Sequence, residues 1–290
     1  MEPTLSPLAV DFETRFFAYL TARDLVTTVP ERLIGGRSNH VWRSGDLVIK
    51  LYSKTQNNPL FDNDPEREQV SLVALSGTEM VPHLMDAGTF EGRQWLAYQH
   101  IKGDPWQEDT GHVAQLLGRL HDQPGWEGLP RGCNGSAELA AQTRGILARC
   151  RESAALLTQA PSGQVPPLEC LSVIHGDPVP GNLLAHDGTL TLIDWQCPQM
   201  GDPAEDLGLF LSPAMQFLYR GAPLTQDECD AFLAAYPDPR VVGRALALMP
   251  WFHWRMSTYC LWKSEQGSTA DSSAMALELA ALQSINPSTV

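Results

Sequence analysis

The sequence predicts an α/β (α+β) protein of two lobes, with an antiparallel sheet in the first lobe and mostly helices in the second. Short strand-like segments dominate the first hundred residues, whereas segments with helical periodicity follow. Of the 290 residues 43% are hydrophobic and 19% are charged, which is typical of a folded globular chain. The pattern breaks at residues 101–105, so we expect lobes at 1–100 and 101–290.

The first lobe is predicted to contain two helices and five short strands. A serine followed by proline begins the first helix, and apolar residues then recur at helical spacing over 6–20. An aspartate, a proline and a glutamate begin the second helix at Asp64, and its pattern ends at Gly77. The predicted strands, separated by turns rich in glycine, are 32–34, 40–43, 47–52, 83–90 and 94–100.

The second lobe is predicted to be helical around one β-like island. The island, 173–194, consists of two short apolar strands that each end in polar residues, a frequent location for chemistry. Thr225 and Glu228 form the pattern of a capping box. The predicted helices are 110–121, 137–158, 225–235, 241–265 and 273–285.

Acidic residues outnumber basic ones, and the formal net charge is −14. Nucleic acids and anionic membrane surfaces attract Lys and Arg, so we expect neither as a partner. The acidity has two interpretations, simple solubility or a cleft that attracts a cationic substrate. The six cysteines form no CxxC pair, which favours neither a zinc site nor a disulfide scaffold. We see neither a signal peptide nor a transmembrane run, and therefore expect a cytoplasmic protein.

The β-like island contains the residue types that phosphoryl transfer requires. The reaction needs a carboxylate that orients the attacking hydroxyl, oxygen ligands for Mg²⁺ and a cation that holds the phosphates of the nucleotide. Asp177, Asn182 and Asp194 supply the carboxylates and the amide. Lys50, in the middle of an apolar strand, supplies the cation.

In this order the residues resemble the motifs of the aminoglycoside phosphotransferase and choline kinase family, which shares the protein-kinase-like fold. The segment HGDPVPGN at 175–182 is similar to the family's catalytic loop, H-x-D-x-x-x-x-N. The resemblance implies that Asp177 is the catalytic base and that Asn182 is a Mg²⁺ ligand. The tripeptide Ile-Asp-Trp around Asp194 resembles the family's metal-binding strand end, which implies that Asp194 is the main Mg²⁺ ligand.

The first lobe resembles the nucleotide-binding part of the same family. Lys50 lies on a segment like the family's lysine strand, and Glu68 resembles the ion-pair partner, with Glu66 as the alternative. Residues 35–39 are similar to the nucleotide loop, and 95–103 to the hinge that binds adenine through its backbone. The resemblance implies that ATP is bound by Lys50, Glu68, Gly35, Gly36, Ser38, Asn39, Gln99 and Ile101.

Four other polar residues are predicted to support the site without reacting. His175 is expected to hydrogen-bond the catalytic loop, and His121 to pack or to cap a helix. Asp202 and Asp206 match a further signature of the family, and we expect them to hold the loop through backbone amides.

Two sets of residues have two interpretations each. Ser38 and Asn39 either contact phosphate or only shape a turn. The tryptophans at 251, 254 and 262 lie close to one stripe of a long helix. Trp251, Trp254 and Trp262 therefore either pack the helix core or line a pocket for a cationic group through cation–π contacts.

The resemblance implies a small-molecule kinase that uses ATP and Mg²⁺ to phosphorylate a hydroxyl. The six acids and single arginine of residues 201–230 favour a cationic acceptor, either aminoglycoside-like or an amino alcohol. Choline, ethanolamine, thiamine, homoserine and aminosugars are alternative acceptors. A protein kinase is disfavoured because the loop reads His-Gly-Asp and no APE-like segment follows. A non-catalytic nucleotide-binding pseudokinase is the alternative of another class, and the intact motifs argue against it.

Overall fold

The computed structural model describes residues 7–33, 39–53 and 58–285. The helices are α1 (Pro7–Thr21), α2 (Pro65–Ala74), α3 (Thr110–His121), α4 (Ser136–Leu147), α5 (Ala154–Leu157), α6 (Ala204–Phe210), α7 (Pro213–Arg220), α8 (Gln226–Ala235), α9 (Pro239–Glu265) and α10 (Thr269–Ile285). The strands are β1 (Glu31–Arg32), β2 (His40–Ser44), β3 (Leu47–Leu51), β4 (Leu84–Phe90), β5 (Arg93–Gln99), β6 (Asp104–Pro105), β7 (Ser172–Ile174), β8 (Leu183–His186), β9 (Thr189–Leu192) and β10 (Gln199–Gly201).

The first lobe is a five-stranded antiparallel sheet in the order β1-β2-β3-β5-β4. Because side chains alternate along a strand, β3 sends Ile49 and Leu51 to one face, where they join the cluster that contains Phe16 of α1. On the opposite face Val48 joins the cluster that contains Leu72 of α2. Lys50 shares the parity of Val48 and therefore points toward α2 and the second lobe.

The second lobe is built around the buried helix α9, which packs on α10, α4 and α6. Two small sheets, β6-β8-β9 and β10-β7, complete this lobe. The largest hydrophobic cluster crosses the junction, since it contains Leu96 of β5 as well as Leu117 and Leu192. The amide of Leu192 also donates to the Met80 carbonyl at 2.8 Å. The sheet of the first lobe ends at Gln99, next to the predicted break.

The predicted fold class is confirmed, and most predicted elements are present within two or three residues of their expected ends. The capping box at Thr225 is present, and Asp64 accepts a hydrogen bond at the start of α2 as expected. The five short elements α6, α7, β6, β8 and β10 were not predicted. Within the described ranges, no helix combines the length and the hydropathy that crossing a membrane requires.

The single long helix predicted over 137–158 is wrong. The helix ends at Leu147, and in the rest of the predicted range only Ala154–Leu157 is helical. Between them the amides of Arg151 and Glu152 donate to the carboxylate of Glu265, at 2.8–2.9 Å. A side chain from the end of α9 thus satisfies backbone donors that a continuous helix would pair internally.

Candidate active site

A buried lysine links the two lobes. Lys50 Nζ donates to Glu68 Oε2 at 2.5 Å and also contacts Asp194 Oδ1. Burial lowers the pKa of Lys50, but the carboxylates of Asp194 and Glu68 outweigh it and hold the pKa above its ordinary value. Lys50 is 3% exposed and Glu68 is 1% exposed, whereas Glu66 lies on the exposed face of α2. Glu68, and not Glu66, is therefore the partner of the lysine.

Tyr52 is a member of this cluster that the sequence analysis missed. Its hydroxyl donates to Glu68 Oε2, the same oxygen that Lys50 contacts. The ring is 4% exposed and lies 5.1 Å from the ammonium of Lys50. The signal was present, because Tyr52 follows Lys50 by two residues and two-residue spacing keeps side chains on one face of a strand.

The catalytic-loop residues converge because of the β8–β9 hairpin. Asn182 immediately precedes β8 and Ile193 immediately follows β9, and the Ile193 amide donates to the Asn182 carbonyl at 2.9 Å. Asp194 follows with a φ of +66°, in the left-handed region that costs a non-glycine residue energy. Asn182 Nδ2 donates to the Asp177 carbonyl at 2.9 Å and to Asp177 Oδ2 at 3.2 Å. The three predicted polar residues therefore lie together, with Lys50 beside Asp194.

His175 has the structural role that was predicted for it. Its Nδ1 accepts from the Asp177 amide at 3.2 Å, and its Nε2 donates to the Ile193 carbonyl at 3.1 Å. Burial lowers the pKa of His175, so the ring is neutral and bridges the two halves of the site. At Gly176, φ is +77° and a Cβ would lie 2.3 Å from the Cys197 carbonyl oxygen, so only glycine fits.

Asp206 holds the catalytic loop as expected. Its two oxygens accept from the amides of His175 and Gly176, at 2.8 and 2.9 Å. His121, which is also buried, contacts Asp206 Oδ2 at 3.1 Å and the Tyr236 hydroxyl at 2.7 Å. The carboxylate is fully buried and accepts hydrogen bonds on both oxygens, which holds it in one orientation.

The expectation that Asp202 also holds the loop is wrong. Its Oδ1 accepts from the Ala204 amide at 3.1 Å, at the start of α6. Its Oδ2 accepts from Arg244 Nε at 2.7 Å. Asp202 therefore fixes α6 to α9, and supports the loop only through the helix that carries Asp206.

Of the loop residues that were predicted to bind the nucleotide, the structure describes only Asn39. Gly35, Gly36 and Ser38 lie outside the described residues. Asn39 Nδ2 donates to Asn63 Oδ1 at 2.8 Å and to Gln196 Oε1 at 3.1 Å. Asn39 thus joins the nucleotide-loop end to the segment after Asp194, a contact that the sequence did not predict, and its contact with phosphate stays a prediction.

The hinge residues lie at the end of the sheet. Gln99 is the last residue of β5, and its amide donates to the His83 carbonyl at 2.8 Å. The next amide, of His100, donates to the Asp46 carbonyl at 2.8 Å. Ile101 follows outside any strand or helix and is half-buried. The backbone of Gln99 and Ile101 remains the predicted contact for adenine.

The aromatic residues of α9 divide between two environments. Trp254 has no exposed surface, and its indole nitrogen donates to the Leu156 carbonyl at 2.7 Å. Trp251 is 6% exposed and belongs to the main hydrophobic cluster. These two placements contradict a pocket-lining role and agree with a helix core. Trp262 is half-buried and stacks on Tyr259 with ring centroids 5.9 Å apart.

A pocket that the sequence analysis missed opens directly beside the catalytic loop. Gly176 of the loop lines it, and so does Phe61 from the segment that precedes α2. Its polar wall contains Glu205 of α6, Arg255 of α9 and Gln142 of α4. Nothing local in the sequence indicates this grouping, because the residues come from three separate helices.

The comparisons agree with this geometry. The sequence profile of the APH phosphotransferase enzyme family matches residues 31–243, which contain every motif described above. Among proteins with curated sequences, none matches the chain.

Solved structures of kinases share the fold. A choline/ethanolamine kinase family protein from Mesorhizobium loti is 17% identical, with a TM-score of 0.63 over 94% of this chain and 95% of that one. Choline kinase LicA from Streptococcus pneumoniae is 16% identical, with a TM-score of 0.62 over 94% and 99%. Spectinomycin phosphotransferase APH(9)-Ia, solved with ADP and spectinomycin, is 14% identical, with a TM-score of 0.60 over 92% and 93%. The predicted kinase-like fold is confirmed.

Proposed function

The chain belongs to the APH phosphotransferase enzyme family, and from that premise we propose that it transfers the γ-phosphate of ATP to a hydroxyl of a small molecule. The observation that carries the proposal is the contact of one buried lysine with both Glu68 and Asp194. Phosphoryl transfer depends on positioning and on charge stabilisation, and this contact joins the two lobes at the residues predicted to do both.

Asp177 is the proposed catalytic base. Asn182 donates to its side chain and its carbonyl, so the carboxylate is held in one orientation. In that orientation Asp177 aligns the acceptor hydroxyl and accepts its proton as the oxygen attacks. Asp206 and His175 keep the loop backbone in place without contacting the reacting atoms.

Lys50 is proposed to hold the phosphates of the nucleotide. Its charge is secured by Glu68 and Asp194, and Tyr52 fixes the orientation of Glu68. The predicted contacts of Gly35, Gly36, Ser38 and Asn39 with phosphate, and of Gln99 and Ile101 with adenine, complete the proposed site.

The donor set suits Mg²⁺, which prefers carboxylate and amide oxygens. Within the described residues, both side-chain hydrogen bonds of Asn182 use Nδ2, which leaves Oδ1 for a cation. The side chain of Asp194 is 28% exposed, whereas that of Lys50 is 4% exposed, so the carboxylate is open to the cleft. Asn182 and Asp194 are the proposed ligands. The chemistry that Mg²⁺ supplies when bound is neutralisation of the charge on the transferred group.

A cytoplasmic location and the absence of nucleic-acid and membrane partners remain predictions, and the sequence favours a cationic acceptor. The structure changes the argument for the cation. The acid-rich segment 201–230 does not form a free acidic wall, because three of its six acids are paired with arginines. The pairs are Asp202 with Arg244, Glu205 with Arg255 and Glu228 with Arg220. The net charge of −14 favours the approach of a cation at long range, but it does not decide what binds in the site.

A turnover screen tests the proposed function. Wild-type protein is incubated with Mg-ATP and a panel of small alcohols, and ADP release and product mass are measured. We expect ADP release above the rate of hydrolysis by water with at least one alcohol, and a product heavier by one phosphoryl group. A protein that neither binds Mg-ATP nor releases ADP would contradict the proposal.

A further inference from the structure

The pocket beside the catalytic loop has an unusual polar wall. Arg255 Nη1 donates to Glu205 Oε2 at 2.5 Å and to Gln142 Oε1 at 2.9 Å. The guanidinium also lies over the ring of Phe252, 5.5 Å from its centroid. The side chains of Arg255 and Glu205 are 5% and 11% exposed. The pair is therefore fixed in position and largely removed from bulk water.

Each member of the pair retains one unused polar atom. Glu205 Oε1 and Arg255 Nε are buried and have no hydrogen-bond partner within the described part of the chain. Buried polar atoms are almost always paired in folded proteins. Arg244 and Asp202 form a comparable buried pair away from the pocket, and among the described residues neither leaves such an atom. Arg220, which pairs with Glu228 away from the pocket, leaves one such atom, but among the described ion pairs only the pair that lines the pocket leaves one on each partner.

The two unused atoms have opposite requirements. Glu205 Oε1 can only accept a hydrogen bond, and Arg255 Nε–H can only donate one. A purely cationic ligand satisfies Glu205 but faces the guanidinium, whereas a purely anionic ligand satisfies Arg255 but faces the carboxylates of Glu205 and Asp206. A ligand that carries a donor and an acceptor side by side satisfies both.

Resting on the proposed function, we propose that this pocket binds an acceptor of zero net charge, which donates a hydrogen bond to Glu205 and accepts one from Arg255. Two kinds of molecule share this chemistry. A neutral polyol offers neighbouring hydroxyls that donate and accept. A zwitterionic hydroxyamino acid offers an ammonium for Glu205 and a carboxylate for Arg255.

The first test is a panel sorted by charge. The probes are ribose and inositol as neutral polyols, homoserine and serine as zwitterions, choline and ethanolamine as cations, and glycerate as an anion. For wild-type enzyme with saturating Mg-ATP, we expect kcat/KM for the best neutral or zwitterionic probe to exceed that for every cation by at least about tenfold, because a group left unpaired in the site is rejected. Comparison of kcat/KM between the neutral and the zwitterionic probes shows whether the acceptor is a polyol or a hydroxyamino acid.

The second test changes the guanidinium and leaves the catalytic loop intact. In Arg255→Gln we expect KM for the preferred probe to rise at least about tenfold, with smaller changes in kcat and in KM for Mg-ATP. The ratio of kcat/KM for choline to that for the preferred probe rises, because the repelling charge is gone. Arg244→Gln is the matched control. We expect it to rank the probes by kcat/KM in the same order as the wild-type enzyme. A purely structural role would lower turnover of all probes alike.

Three results would overturn the inference. They are a wild-type preference for a cation or an anion, no phosphorylation of any neutral or zwitterionic probe, and an Arg255→Gln variant whose order of preference is unchanged. In each case, phosphorylation of any alcohol by the wild-type protein would leave the proposed function standing. Loss of both nucleotide binding and hydrolysis would instead contradict the proposed function itself.

Discussion

At the scale of single residues, the site depends on one charge buried between two others. Lys50 is secured by Glu68 from its own lobe and by Asp194 from the other. A buried lysine without partners loses its proton readily, since burial lowers its pKa. The two carboxylates reverse that effect and keep the ammonium charged, which a phosphate-binding role requires.

Replacement of the proposed base tests the reaction. In Asp177→Ala we expect kcat to fall by at least about 10²-fold, because general-base catalysis contributes that much. The Kd for Mg-ATP should change little, because the nucleotide is held by other residues. Steady-state kinetics and calorimetry measure the two quantities. Asp227→Ala, which removes an exposed carboxylate on α8, is the control. A kcat within tenfold of wild type would remove Asp177 from its role.

Because His175 is buried, we expect the folding stability of the protein to depend on pH. Burial lowers its pKa in the folded protein, whereas the unfolded chain titrates near the ordinary value of about 6.5. Below that pH the unfolded state binds more protons, so folding stability is lost as the pH falls. The loss is at most about 1.4 kcal/mol per pH unit for one proton.

The comparison is with His175→Gln, which does not titrate. Urea unfolding between pH 8 and 5 should show a shallower decline of the unfolding free energy in the variant than in wild type. Other titrating groups are common to both proteins, so the difference isolates the histidine. Parallel curves would show that His175 does not contribute to acid sensitivity.

At the scale of elements, two fully buried carboxylates on helices have similar partners and different tasks. Asp206 of α6 accepts from two amides of the catalytic loop and contacts His121. Glu278 of α10 accepts from the Ser212 hydroxyl, from the Ala214 amide at 3.1 Å and from His253 Nδ1 at 2.6 Å. The first fixes the catalytic loop, and the second joins α10 to α7 and α9.

This likeness gives a matched pair of variants. Asp206→Asn and Glu278→Gln should each lower the unfolding free energy by about 1–3 kcal/mol, since each leaves a buried amide or histidine without its acceptor. Only Asp206→Asn should also lower kcat, by more than about tenfold, because the loop that carries Asp177 loses its anchor. Denaturant unfolding and kinetics on both proteins provide the test. Equal effects on kcat would show that Asp206 has no special connection to the reaction.

At the scale of the whole molecule, the two lobes are joined by polar as well as apolar contacts. The hydrophobic cluster crosses the junction, and Asn39 reaches from the first lobe to Gln196 of the second. The lysine contact with Asp194 lies in the same region. A nucleotide bound between the lobes would therefore stabilise the folded protein as a unit.

Thermal unfolding measures that stabilisation. Mg-ATP at about a hundredfold excess over Kd should stabilise by about 2.7 kcal/mol, or roughly 5–10 °C in Tm. Removal of Mg²⁺ with EDTA should reduce the shift. Asp194→Ala and Asn182→Ala should reduce it as well, because each removes an oxygen ligand of a hard cation. An unchanged shift in both variants would indicate that the metal site is elsewhere.

Much of the site could be predicted from the sequence, because its signals are local. Lys50 stands in the middle of an apolar strand, Asp177 and Asn182 lie five residues apart, and the resemblance of these short segments to family motifs implied their roles. Where the signal was weak, as for Asp202, the prediction was wrong, because spacing alone does not distinguish a loop anchor from a helix anchor. The predicted nucleotide contacts of Gly35, Gly36 and Ser38 stay predictions.

The sequence by itself determined the class of chemistry, since motifs of adjacent residues carry it. Only the tertiary structure decided which acids are free and which are paired. Arg255 meets Glu205 across 50 residues of chain and Gln142 across 113. No local period relates positions so far apart, because the packing of α4, α6 and α9 brings them together. For the same reason the burial of Trp254 against Leu156 followed from packing alone and not from its place on a helical stripe.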